Sequence, residues 1–257
     1  MSDAQRVRHR FAVPPQAVSV AEVRFPPTVA RQMRRVLRLS RGDRVVAFDG
    51  RGGEYVVRLV ALRDEIAIGE IESNTPARTE PRIELTLYQA LLPREKFELV
   101  LQKATEIGVR AFVPLITERS LVPASALNGG RLERWRRIIQ ESAEQSGRAA
   151  LPHLHEPLSL TAALTQLGSS PALFAWEQES RSSLRQALQL LRPRFEDGRL
   201  ALFVGPEGGF SAVEAAAAKA AGATLVSLGP RVFRSETAGP VLAALSLYES
   251  GDLEPVT

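Results

Sequence analysis

Three glycines within five residues mark the first segment whose composition suits a binding site. Gly205-Pro206-Glu207-Gly208-Gly209 follows the apolar run 202–204, and Ser211 and Glu214 have the spacing of a capping box at a helix start. Glycines allow positive φ angles and let the backbone approach a ligand closely. The loop has neither a Walker A sequence nor a Gly-x-Gly-x-x-Gly fingerprint, so it does not predict a nucleotide-phosphate site. A tight strand-to-helix turn would also explain the glycines.

The second segment, residues 228–238, is a short connection rich in charge. It contains Arg231, Arg234, Glu236 and the hydroxyls of Ser235 and Thr237. Either hydroxyl could simply cap the next helix. Two arginines and a glutamate so close together nevertheless favour a site.

Both segments lie in a region of strand–helix alternation that positions them. This pattern predicts a mainly parallel α/β sheet with helices on both faces. Ligands bind such sheets beyond the carboxyl ends of the strands, where both loops fall. The predicted strands are Ile83–Leu92, Ala111–Ile116, Leu173–Trp176, Leu200–Val204 and Thr224–Leu228, and the predicted helices are about 95–107, 131–146, 182–191, 212–221 and 238–250.

Residues 1–72 predict a separate, β-rich domain, joined by a linker at 73–81 to a domain at 82–257. The first domain carries all the excess positive charge, with 13 Arg against 9 Asp and Glu, whereas the remainder has 20 residues of each sign. A helix is expected after Pro26-Pro27. Its pattern puts Val29, Met33, Val36 and Leu37 against the strands and Arg31, Arg34, Arg35 and Arg38 on the opposite face.

The arginine face suggests a polyanionic partner, because like charges at this spacing repel one another. A solvated helix face is the plain alternative. An arginine-rich genome would also explain the composition, since the chain has 30 Arg and only 3 Lys.

Several classes of protein are excluded or disfavoured. The chain has no cysteine and only His9, His153 and His155, which argues against disulfides, thiolate chemistry and a histidine-rich metal site. No apolar run reaches the length of a signal peptide or a membrane span, so we expect a cytoplasmic protein without membrane or metal.

Taken in order, the motifs resemble the RsmE family, the 16S rRNA uridine-N3 methyltransferases of the SPOUT superfamily. In the N-terminal part, the residues that carry the resemblance are Arg35-Val36-Leu37-Arg38, Gly42-Asp43 and Phe48-Asp49-Gly50. The C-terminal part carries the two loops described above together with residues 102–108, Pro114-Leu115, Glu118-Arg119 and residues 144–148.

The resemblance implies a PUA-like β-barrel followed by a SPOUT domain with a C-terminal trefoil knot. It also implies a homodimer that binds S-adenosyl-L-methionine and methylates N3 of uridine 1498, in customary 16S numbering, on the small ribosomal subunit. Periodicity alone shows none of this, and the rarity of knots argues against one.

The resemblance also assigns residues to the site. The cofactor-binding set is Phe174, Ala175, Trp176, Gly205, Pro206, Glu207, Gly208, Gly209, Leu228, Gly229, Val232, Phe233, Arg234 and Thr237. Independently of the resemblance, the arginine-rich N-terminal domain is expected to bind RNA phosphates through Arg8, Arg10, Arg31, Arg34, Arg35 and Arg38. The family usually has Leu or Ile at Phe233 and Thr at Ser235, and Gly239-Pro240 is less typical.

N3 of uracil is protonated at neutral pH, so methylation requires its deprotonation and stabilisation of the resulting anion. Arg234 is the predicted catalytic residue for charge stabilisation. Glu236 and Glu207 are candidate bases, or else they orient Arg234 or the cofactor; the sequence does not choose between them.

Two other functions stay open. One is a SPOUT enzyme that methylates a ribose hydroxyl or another base, and the other is a non-catalytic RNA-binding or assembly factor. A nicotinamide or flavin oxidoreductase lacks its fingerprint here.

Overall fold

The computed structural model describes residues 7, 9–76, 79–123, 127–193 and 198–254. These residues form two compact units. The N-terminal unit contains residues up to Glu80 together with Ala143–Leu151, and the C-terminal unit contains Pro81–Ser142 and the chain from Pro152 onward. The second segment of the N-terminal unit was not foreseen from the sequence.

The N-terminal unit is built on one five-stranded sheet in the order β1-β3-β4-β5-β2. Its pairs are antiparallel except for β1 with β3, and shifts in register interrupt the long β4–β5 pair. Residues 73–76 of the predicted linker continue the last strand. The strands are β1 (Arg10–Ala12), β2 (Glu22–Phe25), β3 (Arg44–Phe48), β4 (Gly53–Leu62) and β5 (Ala67–Pro76).

Ala143–Leu151 joins this unit through hydrogen bonds to the side chain of Glu80. The carboxylate of Glu80 accepts from the N–H groups of Ala149 at 3.0 Å and Ala150 at 3.1 Å, and from the guanidinium of Arg148 at 2.7 Å. Ala149 also packs with Phe48 in a small buried cluster. A bond pattern of this kind has no local signature in the sequence.

The helix predicted after Pro26-Pro27 is shorter than expected. Helix α1 (Pro27–Arg31) passes into a π-helical turn at Gln32–Val36, and Arg38 has a φ of +56°. The wider turn changes the direction of the side chains that follow. Arg38 therefore does not continue a single helical face, and Val36, predicted to pack on the strands, is 71% exposed.

The C-terminal unit confirms the predicted α/β sheet. Its strands pair in parallel in the order β12-β10-β11-β6-β7-β8, with β9 also paired to β7. The elements are β6 (Glu84–Ala90), α2 (Arg94–Ile107), β7 (Ala111–Ile116), α3 (Gly129–Ser146), β8 (His153–Leu154), β9 (Leu158–Ser159), α4 (Leu160–Leu167), β10 (Ala172–Ala175), α5 (Leu184–Leu191), β11 (Arg199–Val204), α6 (Ala212–Ala220), β12 (Thr224–Val226) and α7 (Ser235–Ser250).

Strand β11 shows how the sheet is covered on both sides. Leu200 and Leu202 belong to the buried cluster shared with α2, α5 and α7, whereas Ala201 and Phe203 belong to the cluster shared with α4 and α6. This alternation with period two is what a strand buried on both faces requires. Strands β8 and β9 and helix α4 were not predicted.

Helix α7 begins three residues earlier than predicted, at Ser235 instead of Ala238. Pro240 therefore lies beyond the first turn and removes one backbone donor from the helix. Its neighbour Gly239 has a clear packing reason. A Cβ atom there would come within 2.7 Å of the Oε1 of Gln89, a buried side chain of β6.

Candidate active site

A cavity of about 380 Å³ opens where β10, β11 and β12 end and α7 begins. It therefore lies beyond the carboxyl ends of parallel strands, the usual ligand position in this class of sheet. The residues lining it are Ala175, Trp176, Glu177, Val204, Gly205, Pro206, Glu207, Gly209, Phe210, Ser227, Leu228, Gly229, Arg231, Val232, Phe233, Arg234, Ser235 and Ala238.

Most of the predicted cofactor-binding residues line this cavity. Phe174, Gly208 and Thr237 do not, and neither does the predicted catalytic residue Glu236. Phe174 is fully buried beneath the cavity, with its ring centroid 4.0 Å from that of Phe210. The sequence prediction did not include seven lining residues: Glu177, Val204, Phe210, Ser227, Arg231, Ser235 and Ala238.

The glycine-rich loop is folded by hydrogen bonds of its own. Gly209 has a φ of +66° and donates its N–H to the carbonyl of Pro206 at 2.9 Å. A Cβ atom on Gly209 would lie 3.3 Å from Oε1 of Glu177, across the cavity wall. Glycine at this position therefore satisfies both the backbone conformation and the close approach.

Neighbouring elements hold the glycine-rich loop from outside. Trp176 Nε1 donates to the carbonyl of Phe210 at 3.3 Å, and a guanidinium nitrogen of Arg119 donates to the carbonyl of Gly208 at 2.9 Å. Ser211 and Glu214 form the predicted capping box at the start of α6. The Glu214 carboxylate also accepts from the N–H of Glu118 at 2.9 Å. The loop after β7 thus supports the cavity without lining it.

The two loops are joined by a buried hydrogen-bond chain. Gln89 Nε2 donates to Ser235 Oγ at 3.1 Å, and the Ser235 hydroxyl donates to the carbonyl of Gly205. Gln89 is 1% exposed and Ser235 is 7% exposed, so both groups are shielded from water. A strand, the glycine-rich loop and the first residue of α7 are fixed to one another here.

The cavity carries charged groups of both signs. Arg231 and Arg234 are exposed at its edge, and within the described residues neither forms a hydrogen bond or an ion pair with another side chain. Glu207 forms an ion pair with Lys96 of α2, whose Nζ also lies 3.9 Å from Glu236 Oε1. Lys96 was missed by the sequence prediction because its partners are distant in the chain.

The arginines predicted to bind RNA belong to the N-terminal unit, and they differ from one another in exposure and in ion-pair partners. Arg8 lies outside the described residues. The Arg10 side chain is only 12% exposed, forms an ion pair with Glu54 and lies over the ring of Phe48 at 5.6 Å, which argues against a role in binding phosphate. Arg31 pairs with Glu65 at 3.0 Å.

Arg34 and Arg35 both pair with Asp64, at 2.9 and 3.4 Å. Carboxylates on the β4–β5 turn thus already neutralise part of the arginine face. Arg38 is exposed and has no ion pair among the side chains that the structure describes.

Across the described ranges, no helix is long and apolar enough to cross a membrane. The same residues contain no cluster of three or more histidine, cysteine or acidic side chains that could hold a metal ion.

Comparison with known proteins gives consistent matches. The model of the RNA methyltransferase domain matches residues 79–247, and that of the RNA methyltransferase PUA domain matches residues 33–72. Ribosomal RNA small subunit methyltransferase E of Synechocystis sp. is 33% identical over 236 residues, covering 92% of this chain and 76% of the relative. The protein of the same name from Bacillus subtilis is 30% identical, covering 79% and 80%.

Two solved structures are similar over nearly the whole chain. One is ribosomal RNA small subunit methyltransferase E of Neisseria gonorrhoeae bound to S-adenosyl methionine, with a TM-score of 0.82, 31% identity, and coverage of 92% of this chain and 95% of that one. The other is a Legionella pneumophila protein in complex with the same cofactor, with a TM-score of 0.82, 28% identity, and coverage of 95% and 98%. These matches confirm the PUA-like and methyltransferase assignments made from the sequence.

Proposed function

The chain belongs to the family of ribosomal RNA small subunit methyltransferase E, and we propose on that basis that it methylates N3 of a uridine in 16S rRNA with S-adenosylmethionine as donor. The decoding-region uridine 1498 is the expected target. The observation that carries this proposal is the cavity, because the loops that follow β11 and β12 meet around it and present Arg234 without an ion-pair partner among the described residues.

The residues present fit the cofactor. The cavity volume of about 380 Å³ lies in the usual range for small-molecule sites. Gly205 lets the loop fold tightly on itself, since a Cβ atom there would lie 3.1 Å from the backbone nitrogen of Phe210. Trp176, Leu228 and Phe233 offer apolar surface, and the nearby backbone offers polar groups. When bound, the cofactor supplies a methyl group on a cationic sulfonium.

Arg234 is the residue we assign to the charge that develops on the uracil. Its guanidinium is exposed at the cavity edge and free to donate to carbonyl oxygens, so it can stabilise the anion left when N3 loses its proton. Preformed donors of this kind lower the activation barrier by a few kcal/mol.

Between the two candidate bases we favour Glu207. It lines the cavity, whereas Glu236 does not. The ion pair with Lys96 holds the Glu207 side chain in place, and Lys96 also lies beside Glu236. In this proposal Glu207 accepts the N3 proton, and Lys96 and Glu236 are positioning residues.

Recognition of the RNA is assigned to Arg31, Arg34, Arg35 and Arg38 of the N-terminal unit. Arginine suits phosphate because its planar donors match two oxygens at once. RNA phosphates must then replace Asp64 and Glu65 as partners, an exchange that costs little because the existing pairs are exposed. The domain boundaries at 72 and 82, the C-terminal knot and action in the cytoplasm stay predictions.

We also propose a homodimer. Leu245 and Tyr248 of α7 and Val232 of the cavity lining are exposed apolar side chains, 43%, 64% and 82% accessible, which would be covered by a second copy. Sedimentation at the mass of a single chain would contradict the dimer.

The test of the function is methyl transfer from labelled S-adenosylmethionine to small subunits from a strain lacking the modification, followed by identification of the nucleoside. N3-methyluridine is expected, and Arg234→Ala should lower kcat by about 10² to 10³. Lys103→Ala is a control for removing a cation, because Lys103 is exposed and lies outside the cavity. A ribose-methylated or differently methylated product would contradict the N3 assignment. Cofactor binding without any transfer would favour an assembly factor.

A further inference from the structure

A second, open depression lies beside the cavity, on the connection between β10 and α5. The first two residues of that connection, Trp176 and Glu177, line the cavity, and the next residues line the depression. The depression encloses about 860 Å³. We call it the side groove and define it by Gln178, Glu179, Arg181, Gln186, Gln189 and Lys219.

The side groove has a net positive character. Its carboxylate, Glu179, is engaged locally, because Oε1 accepts the backbone N–H of Arg181 at 2.6 Å and of Ser182 at 3.1 Å. These backbone bonds, that of Arg181 foremost, lower the pKa of Glu179, so it stays ionised and tied to the chain. Arg181 and Lys219 have no ion pair within the described part of the chain. They differ in this from Arg31 and its neighbours in the N-terminal unit.

The groove also presents uncommitted amides. The side chains of Gln178 and Gln189 form no hydrogen bond with the other described residues, whereas Gln186 is used in the capping box of α5. An amide carries both donors and acceptors, as does the edge of an unpaired base. The one large apolar side chain in the lining, Leu190, is too little for the apolar centre of a protein interface.

We propose that the side groove binds the single-stranded RNA next to the target uridine, with phosphates at Arg181 and Lys219 and bases against Gln178 and Gln189. This inference rests on the proposed function, since it supplies a path for the strand whose uridine enters the cavity. A positively charged groove that follows the phosphate backbone is one general element of single-strand binding, and amides can form hydrogen bonds with the edges of unstacked bases.

The test compares the double variant Arg181→Gln/Lys219→Gln with Arg185→Gln. Arg185 is an exposed cation on α5 that does not line the groove, so it controls for loss of charge near the site. The double variant should raise the KM for small subunits about tenfold and reduce the slope of log affinity against log salt by about 1.4, for two contacts to single-stranded phosphate. Its Kd for S-adenosylmethionine should equal that of the wild type.

Equal KM values and salt slopes for the double variant and Arg185→Gln would overturn the groove assignment. A weaker Kd for S-adenosylmethionine with an unchanged KM for RNA would also overturn it, because the groove would then serve the cofactor. Failure of the proposed function is a separate result, since the wild-type chain would then transfer no methyl group in the same assay.

Discussion

Replacing Ser235 by alanine removes the hydroxyl that links the two loops of the cavity. That hydroxyl accepts a hydrogen bond from Gln89 and donates one to the carbonyl of Gly205, in a place almost closed to water. Alanine fits the space but offers neither bond. The Gln89 amide would retain only a long contact of 3.4 Å to the carbonyl of Ala90.

The cost follows from the two partners left behind. A buried polar group without a partner costs about 1–3 kcal/mol, so a loss of about 2 kcal/mol in the free energy of unfolding is expected. For a chain of this size that loss lowers Tm by about 4–8 °C. Because the Gly205 carbonyl belongs to the cavity wall, the Kd for S-adenosylmethionine should also rise, by about tenfold if 1.4 kcal/mol of the change reaches the site.

The assays are thermal unfolding and calorimetric titration with the cofactor. Ser246→Ala is the matched control, because Ser246 is buried on the same helix and its hydroxyl donates only to the carbonyl of Leu242, one turn back. A bond of that local type contributes little to stability. Gln89→Leu completes a double-mutant cycle. In the Gln89→Leu background, Ser235→Ala should lower the free energy of unfolding by at least about 0.5 kcal/mol less than it does in the wild type. Equal costs in the two backgrounds, or a Tm no lower than that of Ser246→Ala, would refute the proposed link.

Two further predictions concern charge. Asp64→Asn/Glu65→Gln should strengthen RNA binding a few-fold with little change in Tm, because it removes exposed carboxylates that compete with phosphate for the arginines. Filter binding over a range of salt concentrations measures this affinity. Glu70→Gln is the control, because Glu70 pairs with Arg58 instead. An unchanged RNA affinity of the double variant would count against a role of the arginine face in RNA binding. In the C-terminal unit, hydrogen bonds from Arg134 lower the pKa of Glu98. The ionised carboxylate therefore stabilises the fold at pH values above the pKa of a glutamate in the unfolded chain, about 4.3. This stabilisation is lost as the pH falls through the lower pKa of Glu98 in the folded protein. Glu98→Gln should therefore lower Tm at pH 7 and leave it nearly unchanged in strong acid, and an equal loss of Tm at both pH values would contradict this.

Much of the C-terminal sheet could be predicted because its signals are local. The strands are apolar runs, and helices such as α2 end at glycines with positive φ, as at Gly108. Helix α4 was missed although its signal was present. Leu160, Ala163, Leu164 and Leu167 are its buried face at helical spacing, and Ser159 caps it.

The features that could not be predicted depend on residues far apart in sequence. Lys96 and Glu207 are separated by 111 positions, so no periodicity connects them. The same holds for the carboxylates that pair with the arginine face. The π-helical turn at Gln32–Val36 is a different case, because it changes one hydrogen bond in a helix whose residue pattern is ordinary.

The position of β6 has a consequence for how the chain folds during translation. β6 is the first strand of the C-terminal unit to be synthesised, yet it pairs with β11, which begins only at Arg199. A nascent chain therefore carries an open strand edge for much of its synthesis, and such distant pairing is slow to form. Every residue of the cavity wall lies between Ala175 and Ala238, so the growing polypeptide gains a methyl-donor site only after Ala238 has been synthesised.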